Sequence, residues 1–137
     1  MATGESLLKD VRVQVLFLFL ILLLTYFLNL GAADVSLMEA RNFVAAREMV
    51  ENGNWLVPTL NGEIRLAKPP LPTWITALSG MAAGDIHQVA ALRFPAAVMA
   101  SLMVFFLFLL ARELVTDKLI PFLAAVVMAG SVAVFNA

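Results

Sequence analysis

Residues 13–30 read VQVLFLFLILLLTYFLNL, a run of 18 residues without one charged side chain. At 1.5 Å of rise per residue a helix of that length reaches ~27 Å, close to the ~30 Å hydrocarbon core of a bilayer. The run therefore predicts a membrane-crossing helix over 13–31. The rest of the chain fits, with 62% hydrophobic residues, 14% charged residues and a mean hydropathy of +0.93. Soluble domains hold roughly 45–50% apolar and 25% charged residues. A cleaved leader competes for the same segment, because Lys9 and Arg12 resemble its basic start and Gly31, Ala32 and Ala33 supply small residues. The length of the run and the further spans after it favour an anchor.

Two more apolar runs follow. Pro95, suited to a first helical turn because it has no amide hydrogen to leave unpaired, opens a span predicted over 95–111. Arg112, Asp117 and Lys118 mark a polar turn over 112–119, and 120–137 is a third span in which the chain stops. A complete membrane protein normally finishes in solvated residues, so the chain reads as the N-terminal part of a longer one. Residues 71–84 are apolar but too short to cross, and are expected to form a helix at the membrane interface. The expected fold is an all-α membrane protein with a long extracytoplasmic loop, 32–94, that holds juxtamembrane helices and a short hairpin.

Lys9 and Arg12 place residues 1–12 in the cytoplasm, and alternation of the spans then puts 32–94 outside and 112–119 inside. The basic residues divide four inside (Lys9, Arg12, Arg112, Lys118) against five in the loop (Arg41, Arg47, Arg65, Lys68, Arg93), but long loops weigh less in this rule. A net charge of −1 without a Lys/Arg cluster gives no footprint for nucleic acid. Cysteine is absent, which excludes disulfides and thiolate metal sites. Membrane lipids are the partners such a surface implies, and nothing in the sequence fixes an oligomeric state.

The loop has readable local grammar. Ser36 followed three residues later by Glu39 fits a capping box, and Gly53 fits the position after a helix end, which predicts a helix over 37–52. Trp55, Val57 and Thr59 alternate as an extended segment, and Asn61-Gly62 is a strong hairpin signal. Lys68 precedes Pro69 and Pro70, so its backbone is pushed out of the helical region and held extended.

The pieces Glu39-Ala40-Arg41, Ala46-Arg47-Glu48-Met49, Gly53-x-Trp55-x-Val57-Pro58, Leu60-Asn61-Gly62 and Lys68-Pro69-Pro70-Leu71-x-x-Trp74, with Leu92-Arg93-Phe94-Pro95 after a gap, come in a distinctive order and spacing. This array resembles the first extracytoplasmic loop of GT-C superfamily glycosyltransferases, above all the aminoarabinose transferases of lipid A and the bacterial proteins like dolichyl-phosphate-mannose protein mannosyltransferases. The resemblance implies an inner-membrane enzyme that moves a sugar from a polyprenyl-phosphate-linked donor to lipid A, protein or another glycan on the outer face. It implies that an acid opening the loop helix deprotonates the acceptor, and that the lysine of the Lys-Pro-Pro element lies near the lipid phosphate. Both roles suit the chemistry, since a hydroxyl needs a base and a departing phosphate needs nearby positive charge.

The family's Asp-Glu-Ala-Arg is Met38-Glu39-Ala40-Arg41 here, so its first acid is missing. Glu39 is the leading replacement, Asp34, four positions before Met38, is the second, and a carboxylate outside this segment is the third. Lys68 and Arg41 are the candidate contacts to donor phosphate. Structural roles compete for each: Glu39 as a helix cap, Lys68 as an interfacial anchor, Arg41, Arg47, Glu48 and Glu51 as a solvated face with local pairs such as Arg47 to Glu51, Arg93 as a headgroup contact, and Asp85 as a helix cap. Trp55 and Trp74 read as interfacial or core aromatics, and His87 as loop. No spacing among Asp34, Glu39 and Glu63 marks a metal site, so no metal or other cofactor is expected in this segment, and a divalent cation in the full-length enzyme is left open. A non-catalytic subunit or flippase-like carrier of polyprenyl-phosphate sugar is the alternative function.

Overall fold

The computed structural model describes residues 10–135, with side chains to residue 131. Lys9 and the first part of the expected cytoplasmic segment lie outside the described residues. The chain is mostly helical: α1 (Val11–Leu22) runs on through a π-helical turn (Leu23–Phe27), followed by α2 (Leu37–Asn52), a two-stranded hairpin of β1 (Thr59–Leu60) and β2 (Glu63–Ile64), α3 (Leu71–Ala82), α4 (Val89–Leu114) and α5 (Ile120–Phe135). It divides into two compact units, one made of the chain up to Leu28 with Ala97 onward, the other of Asn29–Ala96.

In the first unit, α1 packs on α5. The buried side chains include Leu18, Leu22, Val104, Phe108, Ala125 and Ala129, while Leu16, Phe19, Phe106 and Leu110 stay exposed. An outer surface so apolar is unfavourable in water and suits lipid. The polar groups inside are paired: the Gln14 side-chain amide donates to the Lys118 carbonyl at 2.7 Å, and the Tyr26 hydroxyl, on the π-helical turn, donates to the Ala129 carbonyl at 3.0 Å. At 26 residues α4 is, among the described residues, the helix long and apolar enough to cross a membrane, whereas the apolar helices Val11–Phe27 and Ile120–Ser131 are shorter.

Two boundaries differ from the sequence reading, each for a visible reason. Helical structure expected to reach residue 31 gives way to turns after Phe27, and the carbonyls of Leu30 and Ala33 accept hydrogen bonds from Arg93. Helix α4 begins at Val89, so Pro95 lies inside it and not at its start. Proline has no N–H for the carbonyl four residues earlier, which is that of Ala91. The Ser79 hydroxyl donates to this carbonyl at 2.7 Å and replaces the missing bond. Ser79→Ala is therefore expected to destabilise the Asn29–Ala96 unit by about 1–2 kcal/mol, measurable as a lower unfolding temperature in detergent.

The second unit is built on α2 against α3. Helix α2 buries Phe43, Ala45, Ala46 and Met49, and α3 buries Thr73, Thr76, Ala77 and Gly80. Val50, Trp55 and Trp74 pack on the cluster of Ala46, Met49 and Ala77. Residues 71–84 thus contain a helix, Leu71–Ala82, ended by a turn through Gly84 at φ 78°. Gly80 permits a close approach: an added Cβ would stand 2.5 Å from Ile86 Cδ1, 3.1 Å from Leu92 Cδ2 and 3.2 Å from the Ile86 Cα. The methyl can rotate away but the backbone cannot. Gly80→Ala is expected to destabilise the unit by about 1–3 kcal/mol through overpacking, again read by thermal unfolding.

Candidate functional site

The candidate residues all lie in the Asn29–Ala96 unit. Its reference element is α2, whose start is fixed by a full capping box: the Glu39 amide donates to the Ser36 hydroxyl at 3.4 Å, and the Ser36 amide to Glu39 Oε2 at 3.2 Å. Gly53 closes the helix in the left-handed conformation, φ 74°, where a side chain would be strained.

Glu39 does more than cap. Arg93 Nε donates to its Oε1 at 3.0 Å and Arg93 Nη2 to its Oε2 at 3.1 Å, a two-pronged contact. The other hydrogens of the guanidinium reach the carbonyls of Leu30 at 2.9 Å, Ala33 at 3.0 Å and Asp34 at 3.1 Å. Arg93 stands at the beginning of α4 with its side chain only 11% exposed. It fastens the turn before α2, the cap of α2 and the first turns of α4 to one another. Burial by itself raises the Glu39 pKa, but the hydrogen bonds from Arg93 and Ser36 and the charge of Arg93 together outweigh it and hold the carboxyl below its ordinary value. Both of its oxygens are engaged.

Asp34 is brought to the same place by this knot. Its carbonyl is bound to Arg93, while its carboxylate is exposed and makes no hydrogen bond or ion pair among the described residues. Met38 is 63% exposed.

Strand β1 of the hairpin packs against α2. Asn61 and Gly62 have φ 55° and 79°, the doubly left-handed turn expected of Asn-Gly between antiparallel strands, with Leu60 opposite Glu63. Glu48 anchors this turn, its Oε2 accepting from the Thr59 hydroxyl and the Gly62 amide. The hydrogen bond from Thr59 leads in lowering the Glu48 pKa; burial opposes it, and the Gly62 and Asn61 amides reinforce it. Beyond the hairpin, the Arg65 amide donates to the Pro58 carbonyl at 2.8 Å and its Nη1 to the Arg41 carbonyl at 3.1 Å. Lys68 follows in an exposed bend, and the Arg41 side chain is exposed on α2.

Helices α2 and α3 are held in register by a polar chain. Thr73 Oγ1 donates to Asn42 Oδ1, Asn42 Nδ2 to Thr76 Oγ1, and Thr76 Oγ1 to the Pro72 carbonyl, each at 2.9 Å. The Trp74 indole donates to the Trp55 carbonyl at 2.7 Å, so both tryptophans belong to this packing. The face carrying Arg47 and Glu51 also differs from the sequence expectation: Arg47 donates to the Ile86 carbonyl at 3.4 Å and Glu51 faces His87 at 3.5 Å, so both tie α2 to the turn before α4. Asp85 accepts from the His87 amide at 2.8 Å and closes that turn; the helix itself starts four residues later, at Val89.

Of the sequence-derived candidates, Glu39 and Asp34 are brought together through Arg93, while Arg41 meets Arg65 through its backbone carbonyl and Lys68 lies three residues after Arg65 in the chain. Arg93, expected at the headgroups, is instead the hub of a hydrogen-bonded knot. The usable signal was its place as the last charge before a long apolar run, where a lone arginine must find acceptors in protein or headgroups. Arg65 carried no signal, because only the hairpin brings it to α2. Among the described residues no group of three or more acidic or histidine side chains could hold a metal ion.

Comparison with known proteins gives three partial similarities. The chain is 38% identical over 98 residues, 70% of its length, to an uncharacterized protein of Aquifex aeolicus. It is 40% identical over 67 residues, 48% of its length, to the undecaprenyl phosphate-alpha-4-amino-4-deoxy-L-arabinose arabinosyl transferase of Shewanella sediminis. It is 31% identical over 98 residues, 72% of its length, to undecaprenyl phosphate-alpha-4-amino-4-deoxy-L-arabinose arabinosyl transferase 2 of Proteus mirabilis. The chain spans 19%, 12% and 17% of these three proteins. No family model and no solved structure matches it. The similarities support a relation to glycosyltransferases over part of the chain.

Proposed function

We propose that this chain is the donor-side segment of a multi-pass inner-membrane glycosyltransferase that takes a sugar from a polyprenyl-phosphate carrier and delivers it to lipid A, protein or another glycan on the outer face. The observation that carries this reading is the similarity, at 40% and 31% identity, to two arabinosyl transferases named for an undecaprenyl phosphate sugar. A helix long and apolar enough to cross a bilayer, in a chain that also carries a polar unit, supports it. The N-terminus is cytoplasmic in this reading, and the Asn29–Ala96 unit faces the outer side.

Within that unit the roles follow from availability. Lys68 and Arg41 are exposed cations suited to the phosphate of the donor, where positive charge stabilises the leaving group. Asp34 is the better base of the two carboxylates in this reading, because its carboxylate is exposed and unbonded among the described residues, whereas Glu39 accepts three hydrogen bonds from Ser36 and Arg93 and is made less basic by them. Glu39 then acts as the counter-ion of Arg93. Lys68→Ala in the full-length protein is expected to lower sugar transfer from a polyprenyl-phosphate donor by about a hundredfold or more, measured as labelled sugar reaching the acceptor fraction. Normal transfer by this variant would remove Lys68 from the site.

A further inference from the structure

We propose that the groove between α1 and α4 is a binding site for one unbranched acyl chain of a bilayer lipid. The inference stands apart from the transferase reading, because it uses only the apolar unit formed by the chain up to Leu28 and from Ala97 onward.

The groove has a volume of about 410 Å³ and runs from Val15 to Phe27 on α1 and its π-helical turn, and from Val98 to Phe105 on α4. Its α4 wall, Val98, Ser101, Leu102 and Phe105, follows the spacing of one helix face. Among the described residues no charged side chain lines it, and the Ser101 hydroxyl is already donated to the Ala97 carbonyl at 2.8 Å. The complement of such a lining is an uncharged chain that asks for no hydrogen bond.

Dimensions choose between the apolar occupants. At 1.5 Å of rise per residue the two walls are about 11 Å and 18 Å long, on the order of one leaflet of the ~30 Å hydrocarbon core. The volume spread over that length leaves a mean width of about 5–6 Å. A further helix, about 10–12 Å across with its side chains, does not fit into that width. An extended polymethylene chain does, because carbons in contact at about 4 Å make it about 4–5 Å thick. Methyl branches along the chain would press on both walls.

The π-helical turn makes the groove a built feature. Such turns are rare and concentrate at functional sites. Leu23 and Phe27 of this turn line the groove, while Tyr26 of the same turn is buried and its hydroxyl donates to the Ala129 carbonyl of α5 at 3.0 Å. The turn is thus held from α5 with its other residues on the groove. Lipid tails are as apolar as this lining, so hydrophobic transfer gives no preference. The gain is packing, since walls that face an unfilled gap forfeit dispersion contacts.

The test is native mass spectrometry of the full-length protein, released from neutral detergent after incubation with equal amounts of dipalmitoyl and diphytanoyl phosphatidylglycerol. The two lipids share a headgroup and differ in the methyl branches of their chains. The wild type is expected to retain the dipalmitoyl lipid in preference. Leu102→Trp, which fills the groove from a position 43% exposed, is expected to retain one dipalmitoyl lipid fewer per protein at an unchanged unfolding temperature. Leu110→Trp, at an exposed position of α4 outside the lining, is expected to match the wild type. Should Leu102→Trp unfold, Ser101→Phe is expected to show the same loss. An equal loss from Leu110→Trp marks general lipid contact and overturns the site. Undiminished retention by a folded Leu102→Trp protein, the result if another segment covers the groove, overturns it as well. A preference for the diphytanoyl lipid marks a branched, isoprenoid-like occupant and overturns the choice of an acyl chain.

Discussion

Arg93→Ala is expected to lower the stability of the Asn29–Ala96 unit by about 2–4 kcal/mol, the range for losing a network of several hydrogen bonds around a mostly buried charge. Five hydrogen bonds leave this side chain, and its removal would free Glu39 and the carbonyls of Leu30, Ala33 and Asp34 together. The figure is kept at the low end for a charged pair because the Glu39 side chain is 38% exposed, so solvent screens part of the attraction. Arg93→Lys is expected to recover little, since one ammonium cannot grip a carboxylate on two oxygens and reach three carbonyls. Hydrogen exchange gives the local readout: amides of residues 30–39 should exchange faster in both variants, while those of hairpin β1–β2 change less.

The same pair gives stability a defined pH dependence. Glu39 has its pKa lowered in the folded protein, so its contribution is fully present above the ordinary carboxylate value of ~4.3 and is lost as pH falls through the lower folded value. Glu39→Gln should therefore be less stable than the wild type at neutral pH, and the gap should close on acidification. Unfolding temperatures of the two proteins between neutral and acidic pH measure it.

The second large effect separates the two carboxylates. Asp34→Asn is expected to reduce the rate of sugar transfer by about 10²–10⁴-fold, the range for removing a general base, with little change in stability because the Asp34 carboxylate is exposed and unpaired among the described residues. Glu39→Gln should show the opposite balance: a measurable loss of stability and a smaller loss of rate, since an amide can still cap α2 and accept one bond from Arg93. A rate loss confined to Glu39→Gln, with Asp34→Asn unaffected, would return the base to Glu39.

How much of this was legible in the sequence depends on how local each feature is. The capping box at Ser36 and Glu39, the Gly53 helix end and the Asn61-Gly62 turn depend on neighbours within a few residues, and each is present in the structure. The start of α4 was misplaced because a proline usually opens a helix; here Ser79, distant in sequence, supplies the hydrogen bond that Pro95 cannot. The Glu39–Arg93 pair spans 54 residues and Asn42–Thr76 spans 34, and no periodicity encodes either. The site was legible as a set of residue types and only partly as a set of partners. Glu39 was legible as a helix cap and a candidate acid, but its pairing with Arg93 was not.

The most direct test of the central claim follows a polyprenyl-phosphate-linked sugar labelled in both sugar and phosphate, given to membrane vesicles that carry the full-length protein. The proposed transferase cleaves the sugar–phosphate bond, moves the sugar label to an acceptor and leaves labelled polyprenyl phosphate in the membrane. If the labelled carrier is bound or moved across the bilayer with that bond intact, whatever acceptor is present, the protein is a carrier and the transferase reading is wrong.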